Sequence, residues 1–213
     1  VDLATVLERP VRLANDANCF VLSEARDGAA AGADSVFGVI IGTGTGAGII
    51  IQGRLHQGPN LIAGEWGHTP LPWADDGERP GYLCHCGKRG CIETFLSGPG
   101  LSLDFKADTG RDLKAYEVAR LAEKKDPQAE ACMIRYERRM AKSLAMVISI
   151  LDPEVIVMGG GLSNIERLYD NVPRLWSDYA FTDQLTTKLV QAKHGDSSGV
   201  RGAAYLWPPS ENA

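Results

Sequence analysis

The sequence predicts an α/β fold, in which helices alternate with buried strands. Residues 36–41 and 155–158 are β-branched, apolar runs that are typical of buried strands. Between them, residues 112–125 and 128–151 have helical patterns, and apolar residues of the longer stretch recur at spacings of three, four and seven. Strand, helix and strand in this order indicate a layered α/β protein.

The N-terminal part predicts a short strand followed by a helix. Residues 9–14 form the strand candidate, and the Ala-rich residues 19–33 form the helix candidate. Asn18 is the expected N-cap, and glycines mark the helix end. Such a junction is a natural ligand site in α/β folds.

Composition excludes several classes of protein. The 213 residues are 44% hydrophobic and 23% charged with a net charge of -5, which is typical of a globular protein and argues against nucleic acid as the partner. No apolar run is long enough to span a membrane. The odd number of cysteines, five, favours a reducing, cytoplasmic compartment. Because the sequence opens on Val1, a lost signal peptide cannot be judged from it.

A glycine-rich loop follows the first buried strand. Residues 42–47 match a dinucleotide fingerprint, but residues 49–51 are Ile-Ile-Ile, which predicts a strand where that fingerprint needs a helix. A hairpin with a glycine tip is therefore expected. Its backbone N–H groups and the hydroxyls of Thr43 and Thr45 could bind phosphate; a simple flexible turn is the alternative.

Three cysteines are spaced as metal ligands. Cys84, Cys86 and Cys91 form a C-x-C-x4-C pattern with glycines that permit a sharp turn. A structural zinc would need a fourth ligand, for which we choose His68, because His85 lies between two ligands and should point away. Free thiols or one disulfide are the alternative.

Carboxylates lie near both features. Asp16 stands at the predicted strand–helix junction, where a helix cap is the simpler role. Glu65 and Glu93 flank the cysteine segment, and a zinc ion that joins His68 to Cys91 would bring them together in a cluster suited to sugar hydroxyls. Surface charges or partners of the metal ligands are the alternative.

Together these segments resemble the ROK family of sugar kinases and repressors. The matching segments are residues 13–19, 41–46, 63–68, 84–93 and 157–163. Within the family the sequence looks most similar to bacterial fructokinase, also called manno(fructo)kinase, with N-acetylglucosamine kinase as the near neighbour.

The resemblance implies an actin-like (ribonuclease H-like), two-lobed sugar kinase fold with ATP in the cleft. Residues 1–17 would end the small lobe, residues 18–195 would form the large lobe with the zinc loop, and residues 196–213 would return as a helix to the small lobe. Family kinases begin with a loop that holds phosphate and Mg²⁺. Nothing here matches it, so we expect the N-terminal part to be missing and residues 1–213 alone to be inactive.

The resemblance also implies roles for single residues. Asp16 would be the general base. The expected sugar ligands are Asn15, Asp16, Glu65, His68 and Glu93. The expected phosphate loop is Gly42, Thr43, Gly44, Thr45, Gly46 and Gly48, and Gly160 and Gly161 would lie near the nucleoside. The expected zinc ligands are His68, Cys84, Cys86 and Cys91.

The expected activity is ATP-dependent phosphorylation of D-fructose to fructose 6-phosphate, and also of mannose, with Mg²⁺ and a structural Zn²⁺. N-acetylglucosamine kinase and a sugar-sensing repressor of the same family remain alternatives, as does a zinc-stabilised binding module without catalysis. The expected partners are a hexose and a second copy of the chain in a homodimer, with neither nucleic acid nor membrane.

Overall fold

A computed structural model describes residues 2–182 and 184–207 and contains one five-stranded mixed sheet. The strand order is β3-β2-β1-β4-β5. Strands β1 and β2 are antiparallel, whereas β4 is parallel to β1 and β5 is parallel to β4. The strands are β1 (Ser35–Ile41), β2 (Thr45–Ile51), β3 (Arg54–Leu55), β4 (Val155–Gly159) and β5 (Lys188–Gln191).

Helices cover both faces of this sheet, and a separate apolar cluster lies under each set. The smaller cluster lies beneath α2, against which α8 packs, and the larger cluster contains residues of α3 to α7. The helices are α1 (Leu3–Leu7), α2 (Asp16–Asp27), α3 (Glu93–Leu96), α4 (Gly98–Thr109), α5 (Ala115–Glu123), α6 (Pro127–Leu151), α7 (Arg167–Arg174) and α8 (Ser198–Ala204). Alternation along β1 explains the division, because Phe37, Val39 and Ile41 join the larger cluster while Val36 joins the smaller one.

Helix α2 approaches the β1–β2 hairpin closely because two glycines face it. Gly38 and Gly48 are register partners across the hairpin. A Cβ at Gly38 would lie 2.7 Å from the Val21 Cβ, and one at Gly48 would lie 2.5 Å from the Val21 Cγ1. The missing side chains therefore let α2 lie on the sheet, with its N-terminus beside the hairpin tip.

The predicted strand at residues 9–14 is wrong, since these residues are irregular and pair with no strand of the described chain. An extended segment without a neighbour cannot form a ladder. Arg12 instead donates a hydrogen bond to the Leu206 carbonyl and lies over the Trp207 ring, 4.5 Å from its centroid. The expected C-terminal helix returning over residues 196–213 is described only to residue 207; residues 208–213 lie outside the described chain.

Helix α2 begins three residues earlier than predicted. Asn15, not Asn18, is the N-cap, and its Oδ1 accepts a hydrogen bond from the Ala17 N–H at 2.8 Å. Asn18 lies inside the helix and is buried. The first helical residue is therefore Asp16.

Helix α4 and strand β5 were not predicted from sequence. Gly98-Pro99-Gly100 has the composition of a loop, yet Ser97 caps the helix by accepting from the Gly100 N–H at 3.1 Å, and proline is tolerated in a first turn. Strand β5 is only four residues long and takes its hydrogen bonds from β4. No helix in the described residues is long and apolar enough to cross a bilayer.

Candidate active site

A cleft of about 550 Å³ opens where the N-terminus of α2 meets the β1–β2 tip. It brings together all five residues expected to bind sugar. They are Asn15, Asp16, Glu65, His68 and Glu93. The loops that carry them are far apart in sequence, so the fold assembles a cluster of carboxylates, an amide and an imidazole.

Asp16 is exposed to this cleft at the first position of α2. Its carboxylate lies at the positive end of the helix dipole. The Asn15 amide uses its oxygen to cap the helix, which leaves its NH₂ group as a donor toward the cleft. A carboxylate and an amide donor thus stand side by side.

A 3-10 turn, Glu65–His68, runs against the edge of β2 because two glycines allow contact with its backbone. A Cβ at Gly64 would lie 2.1 Å from the Ala47 carbonyl oxygen, and one at Gly67 would lie 2.0 Å from that of Thr45. Gly64 also has a φ of 94°, which few other residues adopt. This close approach brings Glu65 and His68 to the cleft.

The cysteine segment, residues 84–91, folds as a tight turn that we call the knuckle. The Cys84 N–H donates to the Lys88 carbonyl at 2.8 Å, and the Gly87 N–H donates to the Cys84 carbonyl at 2.9 Å. Gly87 supports this turn with a φ of 86°. The turn brings one ligand atom each from His68, Cys84, Cys86 and Cys91 within 4.8 Å of one another.

The spacing of these four atoms matches a tetrahedral zinc site. The Cys86 and Cys91 sulfurs are 3.6 Å apart, and the Cys84 sulfur is 3.5 Å from the His68 Nδ1. Bonds of about 2.3 Å to zinc require sulfur separations of about 3.8 Å, whereas a disulfide requires about 2.05 Å. The donor set therefore fits Zn²⁺ and excludes a formed disulfide.

Without a cation, two of the three thiols resist ionisation. Burial raises the pKa of Cys84, and burial together with hydrogen bonding to Cys86 raises the pKa of Cys91 to about 12. The pKa of Cys86 is lowered, chiefly by the Lys88 backbone N–H. A bound cation would reverse the two raised values, since it stabilises thiolates directly.

Glu93 connects the knuckle to the hairpin tip. Its Oε2 accepts from the Thr45 N–H at 3.0 Å, and its Oε1 is 3.0 Å from the His85 Nδ1. As expected, His85 contributes no atom to the group of His68, Cys84, Cys86 and Cys91. The His85 ring instead stands edge-on to the His68 ring, with centroids 4.8 Å apart.

The predicted phosphate loop is shorter than expected. Strand β2 already begins at Thr45, so Gly46 and Gly48 lie in a strand, and Gly48 lies under α2. The Gly42 N–H donates to the Gly44 carbonyl, and the Thr45 N–H donates to Glu93. The Thr45 side chain is only 5% exposed. Residues 42–44 therefore form the free part of the tip.

A second cleft, of about 710 Å³, lies on the other side of this tip. Gly42 and Thr43 line both clefts. Gly161 lines the larger cleft. Gly160 instead supports the turn: its φ is 80°, and a Cβ there would lie 2.5 Å from the Ile41 carbonyl oxygen. Sequence reasoning missed the α4 and α5 side of this cleft, where the lining residues include Ser102, Leu103, Lys106, Lys114 and Tyr116.

The sequence contains one weak signal for the α4 and α5 side of the larger cleft. It is the Gly-Pro-Gly opening of α4, which resembles a loop, followed by lysines that look like solvated charges. Two clefts that meet at one glycine tip can hold two ligands end to end, with the tip between them.

Known proteins resemble this chain over nearly its whole length. A family model described as the ROK family matches residues 1–210. The N-acetyl-D-glucosamine kinase of Photobacterium profundum is 43% identical over 209 residues, which are 96% of this chain and 69% of that protein.

Solved structures agree with this likeness. A ROK hexokinase from Thermus thermophilus superposes with a TM-score of 0.84 at 32% identity, over 96% of this chain and 67% of that one. A ROK family glucokinase from Streptomyces griseus, solved with glucose and AMPPNP, gives a TM-score of 0.82 at 28% identity, over 96% and 70%. These likenesses confirm the predicted actin-like α/β fold.

Proposed function

This chain belongs to the ROK family, and from that premise we propose that it acts as an ATP-dependent sugar kinase whose substrate is N-acetyl-D-glucosamine. The observation that carries the choice of sugar is the 43% identity with an N-acetyl-D-glucosamine kinase. Fructose, the sugar expected from sequence, is not confirmed, and the relatives favour the alternative. We keep fructose as a competitor in the test below.

In this proposal the smaller cleft binds the sugar, and Asp16 is the general base. Its carboxylate would orient the attacking hydroxyl and accept its proton as the new bond forms. Asn15, Glu65, His68 and Glu93 would pair with other hydroxyls. A sugar that lacks a matching hydroxyl would leave buried polar groups unpaired, and this is a source of specificity.

The larger cleft is proposed to take the nucleotide. Its walls at Leu103 and Tyr116 offer apolar surface to a base, and Lys106 and Lys114 offer positive charge. ATP with Mg²⁺ would supply the phosphoryl group and neutralise its charge. The N–H groups of Thr43 and Gly44 in this tip would face the phosphates, since the tip borders both clefts.

Zinc is proposed to be structural. His68, Cys84, Cys86 and Cys91 would occupy all four positions of a tetrahedral ion, which leaves none open to activate water. His68 would coordinate through Nδ1, which lies 3.5 Å from the Cys84 sulfur, and its Nε2 would stay available to the sugar. The ion would thereby fix both His68 and the adjoining Glu93.

The test measures ADP release by the full-length gene product with MgATP. N-acetylglucosamine, fructose, mannose and glucose are compared, with Asp16→Asn as the matched variant. We expect the highest kcat/KM on N-acetylglucosamine and a fall of about 10²- to 10⁴-fold in Asp16→Asn, because the amide cannot accept the proton. Calorimetry should show that this variant still binds the sugar.

Other results of this test would change the proposed substrate, the proposed activity or the proposed base. A higher kcat/KM on fructose would keep the chemistry and return the sugar to the sequence-based expectation. Sugar binding without turnover of any sugar would contradict the kinase and favour a sensor. Full activity in Asp16→Asn would remove Asp16 as the base.

A further inference from the structure

His85 lines the proposed sugar cleft, and no role was predicted for it from sequence. Its side chain is 72% exposed, and it lines the same cleft as Asp16 and Glu65. Its Nδ1 is 3.0 Å from the Glu93 Oε1, and its ring touches His68 edge-on. The residue is therefore in contact with two of the side chains expected to bind sugar.

The chemistry of the pair fixes the direction of the hydrogen bond. An ionised carboxylate can only accept, so Nδ1 carries the proton and donates it to the Glu93 Oε1. The other oxygen of Glu93 accepts from the Thr45 N–H at 3.0 Å. Glu93 is thus held at both oxygens, and its Oε2 keeps a lone pair for a sugar hydroxyl.

The His85 donor becomes more important when the knuckle binds metal. The Cys84 sulfur lies 3.7 Å from the same Glu93 Oε1. As a zinc thiolate this sulfur has no proton to donate and would repel the carboxylate. The His85 N–H then offsets that repulsion and keeps Glu93 turned toward the hairpin tip.

We propose that His85 is a positioning residue for sugar binding, which holds the Glu93 carboxylate in the orientation that receives the sugar hydroxyls. The proposal rests on the proposed sugar kinase function but adds a residue to it. It assigns the role to the Nδ1–H donor alone. Replacements that keep a donor at this position should therefore bind sugar more tightly than replacements that remove it.

The test compares His85→Ala, which removes the donor, with His85→Asn, whose side-chain NH₂ can take the place of Nδ1–H. His56→Ala is the matched control, since His56 is a histidine that does not line the cleft. In the full-length gene product we would measure sugar affinity by calorimetry, KM and kcat for sugar and ATP, and zinc content. The sugar is the best substrate of the wild-type protein.

We expect His85→Ala to raise the sugar Kd and KM about tenfold, as the loss of a charge-assisted hydrogen bond predicts. The kcat and the KM for ATP should change less than about threefold, and zinc should stay at the wild-type content. His85→Asn should recover most of the sugar affinity, and His56→Ala should match the wild-type protein.

Three results with the variants would overturn the proposal. Unchanged sugar affinity in His85→Ala would show that Glu93 needs no such donor. Equal loss in His85→Ala and His85→Asn would rule out the Nδ1–H as the cause. Loss of zinc in His85→Ala would assign the residue to the knuckle. A wild-type protein that prefers another hexose would correct only the proposed substrate, whereas one that binds no sugar would remove both proposals.

Discussion

Gly44 illustrates how a missing side chain shapes this site at the scale of single residues. A Cβ at Gly44 would lie 2.8 Å from the Glu93 Oε2, the atom that accepts from the Thr45 N–H. The carboxylate could move aside, because it ends a flexible side chain, but it would then lose its hydrogen bond from the Thr45 N–H. The backbone of Gly44 does not require glycine, since its φ is not in the left-handed region.

Gly44→Ala should therefore weaken sugar binding without unfolding the protein. We expect a severalfold rise in the sugar KM, because Glu93 loses the Thr45 N–H. Calorimetry and steady-state kinetics measure it. Gly199→Ala, in α8, has open space around the new methyl group and should leave the sugar KM unchanged. Equal sugar affinities in the two variants would contradict the prediction.

At the scale of elements, the knuckle is a turn closed by the backbone hydrogen bonds from Cys84 to Lys88 and from Gly87 to Cys84. Cys86 is exposed, and the turn at residues 84–88 is short. The metal would therefore supply much of the order of this loop, as in other small structural zinc sites.

Removing zinc should lower the Tm and abolish sugar binding together. We expect about one zinc per chain in the purified protein, and a strong chelator should release it. Added Zn²⁺ should restore the Tm and the sugar affinity, whereas Mg²⁺ should not, because thiolates prefer softer ions. Unchanged sugar affinity in the metal-free protein would contradict this prediction.

A buried ion-pair network ties the loop before the knuckle to α6. Glu78 is 7% exposed and binds both Arg139 and Lys142, and Arg139 also binds Asp104 at 2.9 Å. Burial acts to raise the pKa of Glu78, but hydrogen bonds from Lys142 and Arg139 outweigh it and hold the pKa below its ordinary value. The Glu78 carboxylate thus ties this loop to α6.

Glu78→Gln should cost about 3 kcal/mol of unfolding free energy, because it leaves the buried Lys142 without a counter-charge and Arg139 with Asp104 alone. Urea unfolding at pH 7 measures this change. Asp76→Asn breaks an exposed pair with Arg79 in the same loop and should leave stability unchanged. If Glu78→Gln lowers the unfolding free energy no more than Asp76→Asn does, the Glu78 network does not stabilise the fold.

At the scale of the whole molecule, two buried glutamates make stability depend on pH. Glu24 joins α2 to the C-terminal segment by accepting from the N–H groups of Lys193 and His194 and from the Ser198 hydroxyl. Burial acts to raise its pKa, and these bonds with that from Ala29 lower it on balance. A carboxyl with a lowered folded pKa stabilises the protein above its unfolded pKa and loses that contribution as pH falls through the folded value.

Stability should therefore decline as pH falls below about 4.5, the ordinary value for glutamate. The difference in unfolding free energy between wild type and Glu78→Gln should shrink over the same range, because protonation removes the wild-type charge as well. Urea unfolding between pH 3 and pH 7 measures both proteins. A constant difference would show that Glu78 is not the titrating group.

Sequence-based prediction succeeded for elements whose structure follows from the local residue pattern. Strands β1 and β4 and helix α6 followed from apolar periodicity, and glycine and cysteine spacing predicted the tip and the knuckle. Helix α4 and His85 were missed, because one opens on loop-like residues and the other depends on the path of a turn. The homodimer, the cytoplasmic location and the domain boundaries stay predictions.

The contact of Val21 with Gly38 and Gly48 has an evolutionary consequence. A larger residue at Gly38 requires a smaller one at position 21, whereas a Cβ at Gly48 would also lie 2.6 Å from the Ala17 carbonyl oxygen. In an alignment of close relatives, positions 21 and 38 should therefore vary together, and position 48 should stay glycine. Lineages that drift at one of them alone would shift α2, and with it Asp16, away from the hairpin tip.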